Sequence, residues 1–277
     1  MTRDTLVYER FVRGAALASV GEAALASLGV GFGDVHDARM DALLRWVDAR
    51  TGGGTQFSPS SYPRPTDGDA FVCLLQAESA FLDGQFHRAW ALLESMPTTA
   101  APIPSACQPF LTHLRSTTAV ALARALPHGE RGLLIASATQ SLETLGGCTE
   151  HRAWSALLQA ELASLSGDTK SAMTHFDAAV ARARETSSLY SEAVANERAG
   201  AFHEDLGLLT MAQVYASRAR VAFRKWGARS TAQQPQRRLD ADEWPLSTAS
   251  PSSRDVHALD QDSLLKAVGA LSEELVM

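Results

Sequence analysis

The helical pattern of this chain is clearest from residue 191 to residue 227. Apolar residues recur there every three or four positions, which places them on one face of a helix. In the second half of the stretch the stripe consists of Ala212, Tyr215, Ala216, Ala219, Ala222, Phe223 and Trp226. Gly207 divides the stretch into two helices and Gly227 ends the second. Since one helix pair cannot bury such a stripe alone, the pattern predicts neighbouring pairs of the same kind.

An internal repeat supplies those neighbours. The string LLQAE at 74–78 recurs letter for letter at 157–161, an interval of 83 residues. A glycine and then an alanine follow at fixed spacing, and the last helix pair has the same two residues: Gly84 and Ala89, Gly167 and Ala172, Gly207 and Ala212. Gly129 fits the interval between the first two glycines. A period of about 40 residues in helical sequence predicts an all-α, TPR-like α-solenoid of stacked helix pairs.

The residue types at the repeated positions have a physical reason. The glycine suits a turn between two helices, where a positive φ is needed. The alanine suits a point where the two helices approach closely. Larger residues are expected to fill the space between pairs: Leu93, Phe176 and Tyr215.

Glycine-, proline- and serine-rich stretches suggest the domain boundaries. We expect an N-terminal helical pair at 1–50, a flexible linker at 51–68, the helical repeat domain at 69–228, a second linker at 229–257 and an amphipathic helix at 258–277. The N-terminal pair is predicted as one helix over 6–28 and another over 35–49, separated by Gly29–Gly33. The C-terminal stripe consists of Leu264, Leu265, Val268, Leu271 and Leu275.

The small residues around the turn glycine resemble the tetratricopeptide pattern. A closer resemblance covers most of 70–277 and is carried by HRAWSALLQAELASLSGDTKSAMTHFDAAVARARE at 151–185 and RKWGA at 224–228. These strings are similar to the helical-repeat region of large signalling proteins. In that family a kinase-like domain and an AAA-type ATPase precede the repeats, and a GAF domain and often a histidine kinase follow. The resemblance implies a scaffold in signal transduction without these modules, and leaves open a stand-alone paralogue, a split gene or a truncated fragment of a sensor kinase.

The composition restricts the partners and the compartment. A net charge of −6 and a pI near 5.8 argue against a broad nucleic-acid or anionic-membrane surface. The three cysteines form no CxxC pair, and no secretory signal or run of ~18 apolar residues is visible. We therefore expect a cytoplasmic protein that binds protein partners and does not contact a membrane.

The sequence contains no convincing catalytic motif. No lysine follows a glycine, which excludes a P-loop, and Gly29–Gly33 follows a helix, so that a helix-ending turn is favoured over a dinucleotide loop. His203, Glu204 and Asp205 are either an acid–base cluster or a solvated helix end; Cys148 and His151 are too little for a nucleophilic pair. We expect no enzyme activity, no cofactor and no metal.

Polar residues recur on the first helix of successive pairs, and these are the candidate partner-binding residues: Gln76, Glu78, Gln159, Glu161, Asn196 and Glu197. They form either a recognition ladder for a protein partner or an ordinary solvated helix face. The solvated face is the commoner arrangement for polar residues on a helix. A basic cluster has the same two readings, an acidic or nucleic-acid partner or a complement to the helix dipole: Arg218, Arg220, Arg224, Lys225 and Arg229.

The sequence therefore predicts a non-catalytic protein–protein interaction scaffold. The most direct test is to identify its binding partners. Two rivals stay open. One is a transcriptional regulator that carries helical repeats, which would need DNA binding through Arg220 and Arg224. The other is an enzyme, which would show ATP hydrolysis or phosphotransfer.

Overall fold

The computed structural model describes residues 3–27, 34–52, 69–96, 103–147, 151–229 and 231. These residues belong to one compact unit, Met1–Leu239, and a second unit, Asp240–Met277, lies wholly outside them. The described residues are all-helical. Their helices are α1 Arg3–Val12, α2 Leu17–Ser27, α3 Asp34–Thr51, α4 Ala70–Leu82, α5 Phe86–Glu94, α6 Gln108–Ala125, α7 Gly132–Gly146, α8 Arg152–Leu165, α9 Thr169–Glu185, α10 Leu189–Asp205 and α11 Leu209–Trp226.

Helices from α4 onward pack in consecutive pairs. The main contacts join α4 to α5, α6 to α7, α8 to α9 and α10 to α11, and α2 packs on α3 in the same way. The first helices also contact one another in order, α4 with α6, α6 with α8 and α8 with α10. Neighbouring pairs therefore share one continuous core.

The turn glycines behave as the repeat predicts. Gly84, Gly167 and Gly207 have φ values of 72°, 79° and 73°. In each turn the residue after the glycine donates its backbone N–H to a carbonyl five residues earlier, at 2.8–3.0 Å. This is the Schellman pattern that closes a helix C-terminus. The glycine is needed because residues with a Cβ rarely adopt this conformation.

The repeated alanines lie where the helices of a pair meet. Ala89, Ala172 and Ala212 are buried, with relative exposures of 0%, 0% and 1%. In the last pair the closest approach also involves Gly200, since a Cβ there would lie 3.4 Å from the carbonyl oxygen of Ala212. The expected larger residues Leu93, Phe176 and Tyr215 are buried as well.

The N-terminal helices differ from the sequence prediction. The single helix expected over 6–28 is two helices, α1 and α2, broken at residues 13–16. Gly14 has a φ of 65° at the break, and a Cβ there would lie 2.7 Å from Ser188 Oγ and from Tyr190 Cβ. The break lets the end of α1 pass directly against the start of α10. The second helix, expected over 35–49, is α3.

Aromatic rings join α1 and α3 to the later helices. Phe11 packs edge-on against Trp46, Phe71 and Phe110, with centroid distances of 5.3, 6.0 and 5.1 Å. Trp46 in turn contacts Trp226, at 5.8 Å. Residues 1–50 and 69–228 were separated in the sequence analysis, and the structure places them in the same compact unit. Residues 53–68, nearly all of 229–257 and all of 258–277 lie outside the described residues.

Replacing Ala212 by phenylalanine tests the close packing of α10 and α11. The added ring has no space against α10, so the free energy of unfolding should fall by about 1–3 kcal/mol. Urea unfolding followed by circular dichroism measures the change. The control is Gln213→Phe, since Gln213 is the exposed neighbour on α11, and its stability should stay within about 0.5 kcal/mol of the parent chain. An Ala212→Phe variant as stable as the control would contradict the packing.

Replacing Ser187 by glycine tests the turn between α9 and α10. Ser187 has a φ of 54° and is the one described residue other than glycine with a positive φ. Ser188 donates its N–H to Ala183 O as in the glycine turns, so glycine relieves the Cβ strain without changing the bonds. Thermal or urea unfolding should show a gain of about 1 kcal/mol, and a loss of stability would contradict this account of the turn.

Candidate functional site

The structure divides the six candidate partner-binding residues into two groups. Glu78, Glu161 and Asn196 are buried, with relative exposures of 0%, 2% and 0%. Gln159 and Glu197 are half-buried and Gln76 is exposed. Only the second group presents polar atoms that another protein can reach in this conformation. The prediction that the six bind a partner together stays a prediction.

Glu161 is held by arginines from both neighbouring first helices. Arg124 of α6 donates to Glu161 Oε2 at 2.5 Å, and Arg198 of α10 donates to Oε1 at 2.6 Å. Burial alone would raise the pKa of Glu161, but the charges and hydrogen bonds of Arg198 and Arg124 outweigh it and hold that pKa below its ordinary value. The carboxylate therefore joins α6, α8 and α10 as the centre of a buried ion-pair network.

Glu78 occupies the same repeat position as Glu161 in a different environment. Its Oε2 accepts a hydrogen bond from Trp46 Nε1 at 2.8 Å, and the nearest cation is Arg50, at 3.9 Å. Its Oε1 is buried without a partner. Burial raises the pKa of Glu78 to about 7, since Arg50 and Trp46 offset only part of the desolvation. At neutral pH this carboxyl is therefore partly protonated.

Asn196 also makes its contact within the chain. Its Nδ2 donates to the carbonyl oxygen of Glu192 at 2.7 Å, one turn earlier in α10, and its Oδ1 is buried without a partner. Of the buried members, Glu78 and Glu161 thus bond to other helices, whereas Asn196 bonds within α10. They do not converge on one site.

Sequence reasoning missed the residues that hold the two glutamates: Arg124, Arg198, Trp46 and Arg50. For Glu161 a signal exists, because both arginines lie 37 residues from it along the chain. That interval is close to one repeat, and it places each arginine on a first helix next to α8. Trp46 and Arg50 lie on α3, outside the repeat, and no spacing in the sequence connects them to Glu78.

A cleft of about 440 Å³ opens where the end of α1 meets the starts of α6, α8 and α10. Its polar and aromatic lining consists of Glu9, Arg13, His151, Trp154, Thr186, Ser188 and Ser191. The break in the N-terminal segment at Gly14 brings the α1 residues to this position. No pattern in the sequence indicates the cleft, because its walls come from four separate parts of the chain.

Trp154, which lines the cleft, is one of three parallel rings. Trp154 lies between His113 and His151, with centroid distances of 4.8 and 5.0 Å and interplanar angles of 9° and 3°. Burial lowers the pKa of His113 to about 3, helped by the nearby His151, so His113 is uncharged at neutral pH. Trp154 Nε1 donates to Ser191 Oγ at 2.9 Å. Both faces and the polar edge of this indole are therefore occupied.

Neither alternative weighed for His203, Glu204 and Asp205 describes the whole end of α10. His203 is buried, where its Nδ1 lies 2.8 Å from Ala199 O and its ring stacks on Tyr215. Asp205 is exposed. The histidine therefore belongs to the core, and only the aspartate lies in solvent.

The described part of the chain shows neither a metal-binding cluster nor a membrane-spanning helix. Among its residues, no group of three or more His, Cys, Asp or Glu side chains is placed to hold a metal ion. None of its helices is long and apolar enough to cross a membrane.

Comparison with known proteins finds no match: no family model, no curated protein and no solved structure matches this chain.

Replacing Glu78 or Glu161 by glutamine should change the free energy of unfolding in opposite directions, although both occupy the same repeat position. The raised pKa of Glu78 means that, between its unfolded pKa of about 4.5 and its folded pKa of about 7, stability falls as the pH rises. Glu78→Gln removes that loss, so at pH 8 it should raise the free energy of unfolding by about 2–3 kcal/mol. The gain should disappear near pH 4.

Glu161→Gln is the matched comparison. The lowered pKa of Glu161 gives stability that is present above its unfolded pKa and is lost as the pH falls through its folded pKa. Glu161→Gln should therefore destabilise the chain at pH 8 by about 3 kcal/mol, since it leaves Arg198 without its buried carboxylate partner and Arg124 with only the exposed Asp205, at 3.6 Å. Urea titrations of both variants at pH 8 and pH 4 check the pair, and equal signs at pH 8 would refute the assignment.

Proposed function

We propose that this chain is a non-catalytic protein–protein interaction scaffold in signal transduction, built as a TPR-like α-solenoid. The observation that carries the proposal is the repetition of one unit along α4–α11. Each unit is a helix pair, and successive first helices are in contact. The three glycine turns share one conformation and one hydrogen-bond pattern. Arrays of this kind present extended surfaces on which partners bind.

Surface chemistry supports a protein as the ligand. The turn before α11 and the outer side of that helix expose a group of large apolar side chains: Leu206, Leu208, Leu209, Met211, Val214 and Val221. Exposed basic side chains lie among them on α11: Arg218, Arg224 and Lys225. Apolar side chains rimmed by charges are typical of protein contact surfaces. The complementary partner is an acidic, amphipathic helix.

The signalling context comes from the resemblance of 151–185 and 224–228 to the repeat region of sensor kinases. Several titratable groups of the repeat helices form ion pairs, caps or buried contacts within the described region. Glu161 and Glu78 are examples, since both serve the packing of helices.

Affinity capture followed by mass spectrometry tests the proposal. The full chain should retain a specific partner, and two variants locate the surface. Replacing the reachable polar residues Gln76, Gln159 and Glu197 together by alanine should weaken retention at least fivefold if the first-helix face binds, whereas Val214→Asp should do so if α11 binds. Circular dichroism confirms that each variant folds, and the control is Thr174→Ala on the exposed side of α9.

Three results would count against the scaffold. Retention that is unchanged in both variants would mean that neither surface binds the partner. ATP hydrolysis or phosphotransfer by the purified chain would favour an enzyme. DNA retardation that is lost when Arg224 is replaced by glutamine would favour a transcriptional role.

A further inference from the structure

The cleft between α1 and the starts of α6, α8 and α10 is separate from the surfaces proposed for protein partners. Its volume of about 440 Å³ falls within the range of roughly 300–1,000 Å³ that is usual for small-molecule sites. None of the six candidate partner-binding residues lines it. Its side chains therefore need their own explanation.

Two buried serines give the cleft a hydrogen-bond donor that lacks an acceptor. Ser188 and Ser191 both line the cleft, with relative exposures of 7% and 5%. Ser191 Oγ already accepts from Trp154 Nε1, and Ser188 Oγ accepts from the backbone N–H of Ser191. The hydroxyls lie 2.8 Å apart, so one of their two hydrogens joins them. The other has no acceptor among the described residues.

A buried hydroxyl hydrogen without an acceptor is costly in a folded protein. Because both serines face the cleft, a ligand oxygen placed there would satisfy this hydrogen. The start of α8 adds a favourable field, since its N-cap residue His151 makes no side-chain hydrogen bond to the first turn. Helix N-termini favour negative charge.

The charged lining sets the charge of the ligand. Arg13 at the end of α1 supplies a cation, and Glu9, one turn earlier, supplies an anion. Among the described residues, the charged or titratable side chains that line the cleft are Glu9, Arg13 and His151. Arg13 and the starts of α8 and α10 favour an anion, whereas Glu9 repels a second negative charge. A singly charged anion fits this balance better than a phosphate dianion.

The cleft also has an apolar part. Val12, Ala106 and Pro109 supply it. Trp154 cannot stack on a ligand, since His113 and His151 cover its two faces. The body of a ligand would therefore lie against the aliphatic wall, with its acid group towards the serines.

We propose that this cleft binds a small monocarboxylate with an apolar body. Its carboxylate accepts the spare hydroxyl hydrogen of the Ser188–Ser191 pair and a charge-assisted hydrogen bond from Arg13. Its apolar part packs on Val12 and Pro109. Glu9 excludes dianions of the same shape.

Three probes of similar size test the charge preference: benzoate, phenyl phosphate and neutral benzamide. Titration into the full chain is followed by the indole N–H signal of Trp154 and the amide signal of Ser191 in a ¹H–¹⁵N NMR spectrum. Benzoate should give saturable shifts of both signals, and benzamide and phenyl phosphate should each bind about tenfold more weakly.

Three variants test the assigned roles. Arg13→Gln should weaken benzoate about tenfold, and Arg88→Gln, with the same charge change at an exposed position of α5, should leave it within about twofold of the parent chain. Glu9→Gln should improve phenyl phosphate more than benzoate. Ala106→Phe should abolish binding of every probe by filling the cleft, and its circular dichroism spectrum verifies the fold.

Several outcomes would overturn the proposal. One is the absence of saturable shifts with benzoate up to about 10 mM, which corresponds to a binding free energy of only about −2.7 kcal/mol. Another is benzoate binding that is equal in Arg13→Gln and in the parent chain. A third is equal binding of benzamide and benzoate. Because these experiments involve no protein partner, a failure here leaves the scaffold proposal unaffected.

Discussion

The packing of α1 and α3 against helices that follow much later in the chain holds this structure together. Phe11 lies between rings from α3, α4 and α6. Trp226, at the end of α11, packs on both Trp46 and Tyr190. Each buried ring contributes about 1.5–3 kcal/mol, with a further gain for edge-on ring pairs. The N-terminal helices thus connect the first and the last helix pair of the array, and the starts of the first helices close around α1.

Charge is distributed over this core unevenly. Glu161 is matched by two arginines, and its ionised form is the stable one. Glu78, at the same repeat position, receives an indole N–H and a distant guanidinium, and its burial favours the protonated form. The difference arises because Glu161 accepts from arginines of both neighbouring first helices, whereas Glu78 faces α3. Arg115 of α6, at the corresponding spacing from Glu78, donates to the carbonyl oxygen of Leu93. Glu78 and Glu161 therefore share a repeat position, but the surroundings of each decide whether its protonated or its ionised form is favoured.

The sequence predicted the local structure from α4 onward because that structure depends on local chemistry. Periodic apolar residues define the helices, and Gly84, Gly167 and Gly207 define the turns. Gly14 was not recognised as a break, since its signal is a close approach to Tyr190, far away in the chain. Positions of the candidate residues were predictable to the correct helix, but their burial was not. Burial of Glu78 depends on Trp46, and the cleft depends on four separate segments; neither leaves a periodic pattern.

The hydrogen bond from Arg50 to Thr231 joins residues 181 positions apart, which has a consequence for synthesis on the ribosome. Until residue 231 has emerged, Arg50 lacks this acceptor and Trp46 lacks the ring of Trp226. At about 5–20 residues per second, the N-terminal helices wait roughly 10–40 s for these partners. The nascent chain must therefore carry exposed aromatic surface during most of its translation, in contrast to a repeat array whose units each fold on their predecessor as they emerge.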